Sequence, residues 1–262
     1  MVFFDYVIPG TWIDYDDEEW SIRIFKQILM LESQFQDANV ALDMFSTLDA
    51  SKLYPFSREK FAEDSSKKYE IRNFLEKKIP REGMSEYDYQ LELSLQTDIQ
   101  FKKEQWSNGK KPIGFEISCQ RIYARAFINA LDLFDRVLQR LTEEKGIPSG
   151  VVQQYEKISK YFPDLRPVRN TMQHLEDRSR GKGAYNKQMD LKPIDNDYIN
   201  APNGGVLVLD TLNGSNFEST MANGEIGRVE ISCESLSKLL EILVGVLNSF
   251  KWKGPKQHRP LM

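Results

Sequence analysis

The sequence predicts a mainly α-helical protein: a helical bundle with a small antiparallel β-hairpin or meander inserted before its C-terminal helix. Apolar residues recur at steps of three and four along most of the chain, which lines one face of a helix. The Asn213-Gly214 and Asn223-Gly224 pairs, with β-rich runs beside them, occur late, between residues 205 and 232. No internal repeat is present, so a solenoid is not expected.

Acidic Asp16 to Glu19 open the first long helix, where negative charge suits the positive end of the helix dipole. Trp20, Ile24, Ile28, Leu31, Phe35, Ala38, Leu42 and Phe45 form its inner stripe. Residues 57–78 read as a more polar helix, stopped by Pro80 and Gly83. Ser85 is placed to cap a helix to about Trp106, with Tyr87, Leu91, Leu95 and Ile99 inward. Residues 107–114 break the pattern. Tyr123, Phe127, Ala130, Phe134, Val137 and Leu141 then make a bundle seam that stops at Gly146 and Pro148. A short helix follows at 149–161, and Pro167 predicts a first turn for another from about 165 to 179. Residues 181–204 read as a long loop. GVLVLDTL (205–212) and IGRVEIS (226–232) read as strands, with a middle strand over Phe217 to Met221. Ser232 caps a final helix whose inner face is Leu236, Leu239, Leu240, Leu243, Leu247 and Phe250. The domain division expected from this pattern is a helical extension, 1–110, and a bundle with its β insertion and basic tail, 111–262.

A chain of 262 residues buries a substantial core. Its 35 basic and 39 acidic residues give a net charge of −4, which argues against nucleic-acid binding by bulk charge. Any phosphate site must be a local patch. Residues 1–20 carry six acids and no Lys or Arg, whereas the tail carries Lys251, Lys253, Lys256 and Arg259 without an acid. Such ends can meet each other, meet a neighbouring subunit, or stay solvated; His258 reads as part of a mobile terminus. The N-terminal run contains Asp5 and no basic residue, unlike a secretory signal. The apolar run Leu239 to Leu247 is too short to span a bilayer. Two cysteines support neither a disulfide framework nor a zinc spacing, so a reduced cytoplasmic setting is expected, with no metal and no cofactor.

Glycine-rich phosphate loops, HExxH, CxxC and GxSxG are absent. Attention falls on residues 165–178, LRPVRNTMQHLEDR. Asn170 and His174 are four apart and share one helix face. Arg169 lies about 140° from His174 on ideal geometry, so arginine reach or a partner helix has to bring them together. Residues 161–182 hold five basic residues (Arg166, Arg169, Arg178, Arg180, Lys182) against three acids, a local +2. Arg169 and His174 are also compatible with ordinary helix-surface positions.

Arg169, Asn170 and His174, an arginine with a polar neighbour and a histidine five residues on, resemble the HEPN superfamily motif of late helices in α-bundles. The resemblance covers roughly residues 115–250. It implies a metal-independent endoribonuclease of toxin or anti-phage type, acting on RNA as a homodimer with facing motifs, with a cognate antitoxin or activating ligand as a further partner. Arg169 would bind the scissile phosphate, and His174 would move the proton of the 2′-hydroxyl or leaving 5′-oxygen. Asn170 would orient His174 or touch phosphate, with Arg166, Arg178, Arg180 and Lys182 as the surrounding RNA- and phosphate-binding set. Glu176 stands where many toxin members carry tyrosine. The alternative is a non-catalytic HEPN-like module that binds RNA, a nucleotide or a protein.

Overall fold

A computed structural model describes residues 3–48, 57–195 and 199–260. In chain order it comprises strands β1 (Tyr6–Ile8) and β2 (Trp12–Ile13), then helices α1 (Glu18–Thr47), α2 (Arg58–Glu76), α3 (Glu86–Ser107) and α4 (Ile113–Thr142). Helices α5 (Ser149–Tyr161), α6 (Leu165–Gln173) and the single turn α7 (Leu175–Arg178) follow. Short strands β3 (Ile194–Asp195) and β4 (Asn200–Ala201) precede β5 (Thr211–Asn213), β6 (Asn216–Thr220) and β7 (Ile226–Glu230). Helix α8 (Cys233–Asn248) and strands β8 (Trp252–Lys253) and β9 (Gln257–Arg259) complete the chain. The mainly helical architecture, with a three-stranded meander before the last helix, is the one expected.

The chain divides into two compact units. The first joins residues 1–47 to 120–262, and the second is residues 48–119. Helix α1 therefore belongs with the C-terminal helices, whereas the sequence pattern places it in an extension ending at 110. All eight stripe residues of α1 are buried. They join Phe127, Leu131, Phe134 and Leu138 of α4 with Leu236, Leu239, Leu243 and Leu247 of α8 in one apolar core. Leu165 and Val168 of α6, with Phe217 and Val229 of the meander, extend that core toward the motif segment.

In the second unit α2 and α3 pack as a hairpin. Ser57 and Ser85 cap them by accepting from Lys60 N and Asp88 N. The buried face of α3 is Tyr89, Leu93, Thr97 and Phe101, two residues out of phase with the expected one. Tyr87, Leu91 and Leu95 are exposed instead. Tyr89 decides the phase: its hydroxyl donates to the Glu76 carbonyl of α2 at 3.3 Å, and Arg81 lies over its ring.

The meander runs β5-β6-β7, with both expected Asn-Gly pairs at its turns. Its first strand is shorter than expected. Residues 205–210 stay irregular, tied by Val208 N donating to Thr220 Oγ1 at 2.9 Å. The expected loop 181–204 holds a Lys182–Gln188 bridge and the β3–β4 pair, and its residues 196–198 lie outside the described residues. The two chain ends meet: β1 pairs with β9 and β2 with β8, both antiparallel. Asp5 lies 2.8 Å from His258 and Asp14 binds Lys253 at 2.7 Å, so the acidic head and basic tail touch within one chain. His258 therefore sits in a strand and not in a free tail. Among the described residues no helix is long and apolar enough to cross a membrane.

Candidate functional site

The motif segment folds as two pieces, not as the single helix expected over 165–179. Helix α6 ends at Gln173, and His174 adopts φ −124°, ψ 38° before the turn of α7. Two bonds account for the break. The His174 amide donates to the Thr171 carbonyl at 3.1 Å, tightening the last turn. The buried Thr171 hydroxyl donates across to the Thr220 carbonyl of β6 at 3.1 Å, fixing the end of α6 against the meander. The helical-face relation of Asn170 and His174 is lost at this break, yet both line one cavity of about 950 Å³. Asp164, Pro167, Asp177 and Arg178 line it from the same segment, with residues 183–186 and the β6–β7 turn opposite. Asn170 and His174 are both exposed.

Arg169 takes another path and is not among the residues lining that cavity. Its Nε lies 2.9 Å from Asp132 Oδ1 of α4, with the Arg169 side chain 11% exposed and that of Asp132 5%. Its Nη1 donates to Asn170 Oδ1 at 3.1 Å and to Gln173 Oε1 at 2.6 Å. This contact takes up the oxygen of the Asn170 amide, and the N–H pair is the side of that amide that can donate to a ligand. Arg169 is thus a positioning residue for Asn170 in this arrangement, and the phosphate contact implied for it would require release from Asp132.

The remaining basic residues differ in availability. Arg166 makes a fork to buried Asp135 at 2.6 and 3.1 Å, and also donates to Gln139 and Tyr155, both at 3.0 Å. The hydrogen bond from Arg166 to Asp135 raises the already high pKa of the guanidinium further. Arg180 is exposed and bound to Asp177 at 2.7 Å. Lys182 pairs with Gln188 through the backbone. Arg178 is the unusual one. It is 5% exposed, its Nη1 donates to the Lys182 carbonyl at 2.5 Å, and its Nε is buried without an acceptor.

One metal-capable group occurs among the described residues: His174, Glu176 and Asp177 offer ligand atoms within 4.8 Å of one another. A nitrogen and two carboxylates suit a divalent transition ion, but Asp177 is already engaged by Arg180. Sequence reasoning misses Asp132 and Asp135. Their signal is present as two carboxylates in the apolar run FINALDLFDRVL of α4. Searches against family models, curated proteins and solved structures returned no match to this chain.

Proposed function

We propose that the chain is a metal-independent, HEPN-like endoribonuclease of toxin or phage-defence type, with His174 as the proton-transfer residue. The observation that carries the reading is the shared cavity edge of Asn170 and His174, both exposed. An imidazole is suited to take the proton of an RNA 2′-hydroxyl as that oxygen attacks phosphorus, or to give a proton to the departing 5′-oxygen. The P–O5′ bond breaks, leaving a 2′,3′-cyclic phosphate and a 5′-hydroxyl. The amide donors of Asn170 would bear on a non-bridging phosphate oxygen, with Arg169 holding that amide through its oxygen. A homodimer with a second motif opposite would supply a further imidazole, so that one copy serves as base and the other as acid.

A second reading has its own observation. Because Arg169 is committed to Asp132, the same cavity suits a non-catalytic module that binds RNA, a nucleotide or a protein. Incubating wild type and His174→Ala with mixed RNA in excess EDTA, and reading product ends, separates the two. The nuclease reading expects cyclic-phosphate ends from wild type alone. Binding without turnover supports the module, and cleavage that survives His174→Ala or requires a divalent ion refutes the nuclease reading.

A further inference from the structure

Two features of the same cavity are costly to hold in the fold. The first is Arg178. Burying a guanidinium without a carboxylate is costly, because the ion loses its hydration and gains no counter-charge. Here one N–H is taken by the Lys182 carbonyl, and none of the ion pairs among the described residues includes Arg178. Three carboxylates line the same cavity, each with a hydrogen-bond donor of its own. Asp177 is bound by Arg180 at 2.7 Å, Asp164 accepts from the Arg228 amide at 3.0 Å, and Glu225 accepts from Asn223 at 2.7 Å.

The second is Tyr185. It is 95% exposed and stands in left-handed backbone, φ 54° and ψ 34°, with Asn186 beside it at φ 61°. Asparagine tolerates that region, whereas for tyrosine it is strained. The loop that imposes it is closed at its base: Gly183 N donates to Lys187 O at 2.7 Å and Met189 N to Gly181 O at 2.8 Å. Gly183 lies so close to the Ala222 carbonyl that a Cβ there would sit 2.6 Å from it, which seats the loop against the β6–β7 turn. A strained aromatic ring held in solvent at a cavity rim adds nothing to a core. It does present a face for stacking.

We propose that this cavity is a nucleotide subsite for single-stranded RNA, in which Arg178 takes a backbone phosphate and Tyr185 stacks a base. The guanidinium suits a phosphate by its planar fork of donors, and stacking requires no particular base. The assignment rests on the RNA reading of the site, and it adds a means of gripping substrate beside His174.

The test measures binding of a short fluorescent 2′-O-methyl oligoribonucleotide, which lacks the attacking hydroxyl, in EDTA. We expect Tyr185→Ala to weaken binding roughly ten-fold and Tyr185→Trp to restore it, as loss and return of one stacked base demand. Arg178→Gln should weaken binding and lower the salt slope by about 0.7, the value for one phosphate on a single strand. Arg178 also ties the base of the loop, so the Tyr185 pair decides if that variant fails to fold. Binding indifferent to Tyr185→Ala, no rescue by Trp, or no binding by wild type overturns the proposal. Displacement by 5′-AMP as readily as by the oligonucleotide also overturns it, because the subsite would then serve a free nucleotide. Ordinary RNA read in parallel separates the two claims. Tyr185-dependent binding without cleavage keeps the subsite and removes the nuclease, whereas His174-dependent cleavage indifferent to Tyr185 and Arg178 does the reverse.

Discussion

The Asp132–Arg169 pair sets the geometry of the motif, and its strength can be worked out from its surroundings. Asp132 is held from two sides, by Arg169 Nε and by Arg136 Nε, each at 2.9 Å. The Arg136 side chain is 47% exposed, so solvent screens that contact to about 0–1 kcal/mol. The Arg169 side is buried, and removing it leaves a desolvated carboxylate with only the screened partner. Arg169→Met should therefore cost about 2–4 kcal/mol, somewhat below the roughly 3–5 kcal/mol of a fully orphaned buried charge. For a body of this size that lowers Tm by roughly 5–10 °C. Asp132→Leu should cost a similar amount by stranding Arg169. The double variant, apolar on both sides, should be no less stable than either single one, giving a coupling at least as large as one single cost, about 2–4 kcal/mol. Urea unfolding followed by tryptophan fluorescence is the assay. Trp12, Trp20 and Trp252 lie in the compact unit that holds the pair, and only Trp106 lies in the other. A loss under about 0.5 kcal/mol for Arg169→Met, the range of ordinary surface changes, would refute the reasoning.

Two further outcomes follow from buried groups elsewhere. Burial, opposed by Arg259 and the Tyr6 hydroxyl, pushes the Glu32 carboxyl above its ordinary value of 4.5. Its protonated form is therefore favoured in the folded state, and wild-type stability should fall as pH rises from about 4.5 through the raised value, a fall that Glu32→Gln should abolish in a Tm-against-pH series. Gly224, at φ 88°, lies where a Cβ would overlap the Asp190 carbonyl oxygen, and its own carbonyl accepts from the Lys192 amide at 3.0 Å. Gly224→Ala should cost more than about 1 kcal/mol, and the Lys192 amide should exchange faster with solvent.

The long helices were legible because a stripe of period 3.6 fits one face of a helix and cannot fit the two-residue alternation of a strand. The eight residues from Trp20 to Phe45 all point into the core. Helix α3 shows the limit of that signal. Tyr87, Leu91 and Leu95 form as good a stripe as Tyr89, Leu93 and Phe101, and only the packing of α2 on Tyr89 chooses between them. The terminal strands were invisible for another reason. Tyr6 finds its partner at Arg259, and no local pattern in KWKGPKQHRP announces a pairing at that separation. The candidate site divides in the same way. Asn170 and His174 could be picked out by their spacing, but the break at His174 has no glycine or proline to mark it, because it is imposed by Thr171 and Thr220. Arg169 could be picked out by spacing, while its commitment to Asp132 depends on a helix more than thirty residues earlier.

The most direct measurement uses one RNA oligonucleotide that wild type cuts, resynthesised with a single 2′-deoxy nucleotide on the 5′ side of the scissile phosphate. In excess EDTA the proposed mechanism expects the all-ribo strand to be cut and the substituted strand to remain whole at that position, because it draws the attacking hydroxyl from the substrate itself. Cleavage at the deoxy position, or cleavage of the all-ribo strand only after a divalent ion is added, would contradict the proposed chemistry.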